Sequence, residues 1–111
     1  MRGDIMDFIV IYCTVPNKNE GKDIARALVK HQIVACVNII DKIESVFSWD
    51  GEMMEEKEAL MIIKTKKELF ADVNRVIQKL HSYNVPEVIA IPIIEADEIY
   101  LKWIDHEVRE V

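Results

Sequence analysis

A single α+β domain of order β-α-β-β-α-β, closed by an extra C-terminal helix, is predicted by three features of this sequence. Four runs, at 7–15, 33–49, 52–65 and 88–94, are rich in β-branched and aromatic residues. Amphipathic stretches at helical spacing separate the first run from the second and the third from the fourth, and Asp50-Gly51 joins the two long middle runs. Apolar runs of this kind suit strands, and recurrence at three and four residues suits helices. Asp-Gly suits a tight hairpin because glycine tolerates positive φ. The 111 residues argue for one domain over 7–111, with 1–6 as a loose leader.

The first run, DFIVIYCTV, is nearly continuously apolar and stops at Pro16, as a central strand would. Asn17 and Glu20 have capping-box spacing, in which two side chains satisfy the exposed amides of a starting helix. Ile24, Ala25, Leu28, Val29 and Gln32 then follow one helical line. The two long runs form a hairpin whose polar middle, at 41–44 and 54–57, is expected to bulge or protrude. Thr65 and Glu68 repeat the capping-box spacing ahead of a helix with Leu69, Val73, Val76, Ile77 and Leu80 on one face. That helix ends near 81–84, since the residue before Pro86 resists the α conformation. In the run VIAIPII, Pro92 has no amide hydrogen for a ladder, so this strand belongs at a sheet edge or carries a bulge. Asp97 can cap the last helix, with Ile99, Tyr100, Trp103 and Ile104 on its apolar side.

This order matches the split-βαβ, ferredoxin-like pattern. Right-handed crossovers place the first two helices on one face of a four-stranded sheet, leaving the other face uncovered by them. The long second strand then lies at an edge with unpaired backbone groups, and self-association is one way to cover it.

Composition narrows the function classes. The formal net charge is −6, with scattered Lys and Arg, so nucleic acid is not an expected partner. No apolar run is long enough to cross a bilayer, and Asp4 with no small-residue cleavage site argues against a signal peptide. A cytoplasmic location and no membrane partner are the resulting expectations. Cys13 and Cys36 lie in apolar runs without a CxxC pair, which suggests buried thiols rather than a disulfide, a zinc ribbon or a redox motif.

Several segments together resemble the CutA family: Thr14-Val15-Pro16, ACVNI at 35–39, SVFSWDG at 45–51, Glu58, Lys64-Thr65, His81-x-Tyr83-x-x-Pro86-Glu87 and YLKW at 100–103. The resemblance runs in order from about Phe8 to Val108. It implies a compact homotrimer, similar in architecture to PII-type signalling proteins, and a part in tolerance of divalent metals, copper above all. No cofactor is required. Copper is the metal that the family's pattern would bind, through Cys13 and His81. The sequence departs from that pattern at Leu80, where some members have a second His, and at Ser82 and Phe47.

Two readings stay open for Cys13 and His81: a thiolate and an imidazole for copper, or a core thiol and a hydrogen-bonded histidine at a helix end. The second is the simpler. Met53 and Met54 point to opposite strand faces and cannot readily share an ion, so Glu52, Glu55 and Glu56 beside them read as a solvated face. Glu58, Lys64 and Glu87 are the nearest approach to a catalytic set and read more simply as structural ion pairs. Trp49, Trp103, Tyr83 and Tyr100 fit either a ligand cleft or interface anchors. The loop at 16–21 has no Arg and carries a carboxylate, which repels phosphate, and HExxH, GxSxG and Gly-rich phosphate motifs are absent. No enzymatic activity is expected. Besides metal tolerance, a PII-like small-ligand sensor and a structural trimeric scaffold remain as alternatives.

Overall fold

The computed structural model describes residues 7–110, so the leader expected at 1–6 lies outside the described residues. The elements are β1 (Phe8–Val15), α1 (Lys18–Lys30), β2 (Cys36–Trp49), β3 (Glu52–Lys66), a 3₁₀ turn (Lys67–Leu69), α2 (Phe70–Leu80), β4 (Ile89–Pro92) and α3 (Glu98–Glu107). They build one antiparallel sheet of order β2-β3-β1-β4. The predicted order of elements is thus observed, with β2 and β4 at the edges.

Strand alternation separates the two faces. Ile9, Ile11, Cys13 and Val15 of β1 and Ala59, Met61 and Ile63 of β3 pack with Ile24 and Leu28 of α1 and Val73 and Ile77 of α2 into the main core. Phe8 points the other way and forms a smaller cluster with Leu101 and Ile104 of α3. The periodicity of α3 is therefore used differently from expectation. Its buried line is Leu101, Ile104 and Val108, whereas Ile99 is 77% exposed and Tyr100 and Trp103 are about two-fifths exposed at 39% and 40%. The helix meets the sheet only where the end of β3 lies beside the start of β1, so one narrow line is all it buries. Lys66 ties it down through a 2.7 Å ion pair with Asp105.

The Asn17 cap forms, its side chain accepting from the Glu20 amide at 2.8 Å. The reciprocal half does not, because the Glu20 carboxylate accepts instead from the Ser82 amide at 2.8 Å. Thr65 caps nothing. It is buried in β3 and donates to the Ile33 carbonyl at 2.6 Å, and α2 begins after the 3₁₀ turn with no side-chain cap. Ile33 and Val34 enter the core ahead of β2, which starts at Cys36 rather than at 33.

The middle hairpin is longer than the sheet. β1 pairs with β3 only from Ala59 onward, so residues 52–58 pair with β2 alone and form a projecting ribbon. A β-bulge marks the junction: Ile40 opposes Leu60 and Ile43 opposes Glu58, leaving Asp41 and Lys42 against a single residue, with Lys42 at φ 61. At the tip Asp50 and Gly51 take φ of 52 and 80, as a tight hairpin turn with the strands' twist requires.

A candidate site between the ribbon and the loop after α2

The end of β1, the ribbon and the loop after α2 meet where the sheet narrows to two strands. His81 is the hinge of this region. Its imidazole is wholly enclosed, with Nε2 2.7 Å from the Thr14 carbonyl and Nδ1 accepting from the Tyr83 amide at 3.0 Å. An acceptor at Nδ1 fixes the tautomer with the proton on Nε2, which donates to Thr14. Glu20 reaches the same ring, its Oε2 3.6 Å from Nδ1. The loop is thereby fastened to both α1 and β1. The Tyr83 hydroxyl then donates to Glu58 Oε2 at 2.8 Å, linking the loop to β3. Burial, and after it the Glu58 carboxylate, pushes the Tyr83 phenol above its ordinary range.

Cys13 lies fully buried beneath, and its thiol donates weakly to the same Thr14 carbonyl at 3.7 Å. Burial first, then the charges of Glu87, Glu20 and Glu58, push this thiol up to about 12. Sequence reasoning named Cys13 and His81 as a pair, and the fold does bring them to one carbonyl. Their donor atoms, however, are engaged within the fold. The thiol is protonated in the fold as it stands, and neither imidazole nitrogen has a free lone pair. Among the described residues no three His, Cys, Asp or Glu side chains come together as a ligand set. As folded, the pair does not fit a copper ion.

The other expected candidates divide. Lys64 donates to Asn38 Oδ1 about 20 Å along β3 from Glu58, which is held by Tyr83, so Glu58, Lys64 and Glu87 do not converge as one catalytic set. Cys36 is a free, half-buried thiol rather than a core one, near enough to Tyr100 to add to the burial that raises its phenol. Trp49 and Tyr83, by contrast, share a groove of about 800 Å³ between ribbon and loop. Phe47, Met54 and Glu56 also line it, a place that sequence reasoning gave to none of them. The signal that finds them is the two-residue Asp50-Gly51 turn, which sets Trp49 across from Glu52 and hence Phe47 across from Met54 and Ser45 across from Glu56.

A family model described as CutA1 divalent ion tolerance protein matches residues 9–107. The chain is 43% identical over 101 residues to the protein named CutA, chloroplastic, from Arabidopsis thaliana, covering 91% of this chain but 56% of that protein. It is 39% identical over 95 residues to the divalent-cation tolerance protein CutA of Thermus thermophilus, covering 86% and 92% of the two. Against plant relatives the chain thus spans little more than half their length. The crystal structure of CutA1 from Oryza sativa superposes with a TM-score of 0.91 at 42% identity, covering 94% of this chain and 95% of that one. That of the periplasmic divalent cation tolerance protein CutA from Archaeoglobus fulgidus gives 0.89 at 39% identity, covering 92% and 99%. These names are those of tolerance proteins rather than of enzymes. They also overturn the cytoplasmic expectation, since relatives this similar are named chloroplastic or periplasmic and the fold is not tied to one compartment. With its fold, its length of match and its register of motifs all in agreement, the chain belongs to the CutA1 divalent ion tolerance family.

Proposed function

We propose that this protein acts in divalent-cation tolerance as a self-assembled homotrimer with PII-like architecture. The observation that carries the reading is the sheet face turned away from α1 and α2. Val10 and Tyr12 of β1 and Leu60 and Ile62 of β3 lie there half-buried, flanked by Ile40, Ile89 and Ile91 at 48%, 50% and 42% exposure. A continuous apolar face of this kind, bounded by the edge strands β2 and β4, favours association with like subunits. Multi-angle light scattering is expected to return three times the 12.9 kDa of the chain, and Ile91→Asp to lower it. A lone, well-folded subunit at micromolar concentration overturns the reading.

Direct copper binding through Cys13 and His81 has no support in their geometry. Calorimetric titration with copper is expected to give the same weak binding for the native protein, Cys13→Ala and His81→Ala. Loss of a strong site in either variant would restore the metal pair. A second reading, a sensor of a small ligand, is favoured by the groove beside Trp49 and Tyr83. A ligand bound only to the folded protein raises its melting temperature, so a metabolite screen without any shift removes it.

A further inference from the structure

The lining of the groove is acidic and aromatic. Its charged residues are Glu56, Glu58 and Glu87, with no Lys, Arg or His among the side chains that line it. Glu58 is only 7% exposed. One of its oxygens accepts from Tyr83, and the other has no donor among the described residues. A buried carboxylate with open acceptor capacity is costly unless a donor or a cation reaches it. Beside it Phe47 and Trp49 leave 38% and 48% of their surface open.

We propose that this groove binds an organic primary ammonium ion carrying an apolar arm, its N–H donors on Glu58 and its arm against Phe47 and Trp49. The lining selects this class on three grounds. The carboxylates are spread along the groove, and among the described residues they form no ligand set for a metal ion. The open oxygen of Glu58 calls for an N–H donor, which a quaternary ammonium lacks. The exposed indole offers its π face to a cation and its area to a hydrocarbon. Anionic ligands are repelled by all three carboxylates. The lining residues named all belong to one chain.

The probe is 4-phenylbutylammonium, with 4-phenylbutanol and 4-phenylbutyrate as its neutral and anionic counterparts. A Trp103→Phe background leaves Trp49 as the sole tryptophan of the two in the sequence, so its fluorescence reports the groove. The amine is expected to give saturable binding, with the alcohol and the acid weaker by about tenfold or more, as loss of a charge-assisted hydrogen bond implies. Glu58→Gln, checked for folding by circular dichroism, is expected to bring the amine down to the level of the alcohol. Exposed Glu87→Gln, which carries no such folding risk, weakens the amine by about threefold through the lost charge. Equal affinity for amine and alcohol, or an amine affinity unchanged by both substitutions, overturns the proposal. So does the absence of saturable binding, the outcome expected where a neighbouring copy's basic side chain fills the groove. Hydrogen exchange at the ribbon tip separates site from sensor: amine binding without a change there supports the site and removes the relay.

Discussion

Replacing Tyr83 by Phe deletes one oxygen atom and isolates a buried carboxylate. Glu58 is 7% exposed and receives the phenol proton at 2.8 Å, with no other donor among the described residues. A hydrogen bond to a charged group contributes about 1.5–3 kcal/mol, and an abandoned buried acceptor lies toward the upper end of that range. Tyr83 itself is only half-buried and borders the groove, so water can enter the vacated position. We expect a loss of about 2 kcal/mol. Glu58→Gln keeps a carbonyl acceptor and removes the charge. In that background Tyr83→Phe should cost about 1 kcal/mol, the value of a neutral hydrogen bond. Urea unfolding at a fixed protein concentration measures all four members of the cycle, concentration being held because assembly contributes to stability. A loss below about 0.5 kcal/mol for Tyr83→Phe, or an equal loss in both backgrounds, refutes the assignment of this contact as the tie between loop and β3.

The remaining predictions concern the core and the ribbon. At pH 8 native protein should be alkylated by iodoacetamide at Cys36 and not at Cys13, with both labelled in urea, because one thiol is half-buried and the other is pushed up to about 12. A folded chain that keeps a proton which the unfolded chain releases from its ordinary 9.0 loses stability as pH rises above 9, by up to about 1.4 kcal/mol per unit, and is unaffected below it. Cys13→Ala should flatten that alkaline decline in a series of urea melts. Thr65→Val should cost about 1–2 kcal/mol by leaving the Ile33 carbonyl unpaired, and Thr65→Ser much less, read by thermal melting. Gly51→Ala meets open space but holds φ at +80, so it should cost about 1 kcal/mol through backbone strain alone, measured in the same way.

The fold was legible where a signal was local and strong. Asp50-Gly51 fixed the hairpin, Pro92 put β4 at an edge, and Asn17 and Asp97 began their helices, the latter accepting from the Tyr100 amide at 3.0 Å. The signals misled where one side chain had two possible partners. Thr65 and Glu20 both have capping-box spacing, yet a buried carbonyl captures the first and the Ser82 amide the second. Competition between partners distant in sequence leaves no trace in spacing. The candidate site was legible as a set of residue types and not as an arrangement. His81 was marked, but that both its nitrogens are satisfied depends on Thr14 and Tyr83 arriving from a strand and a loop. The register of the aromatic and acidic row at Phe47, Met54 and Glu56 follows from the Asp50-Gly51 turn, but its meeting with Tyr83 depends on a loop that arrives from α2.

The unpaired residue of the bulge switches the parity of β2, so that even-numbered Ile40 before it and odd-numbered Ile43 after it oppose Leu60 and Glu58 on one face. Deleting one residue at 41 or 42 would restore a one-for-one count, keep the hairpin, and leave Ser45, Phe47 and Trp49 across from Glu56, Met54 and Glu52, because opposed residues share a face. Adding matched pairs near the tip would lengthen the arm and reverse nothing. Length variation in matched pairs near the tip therefore changes how far the ribbon reaches and leaves the wall beside the junction as it is.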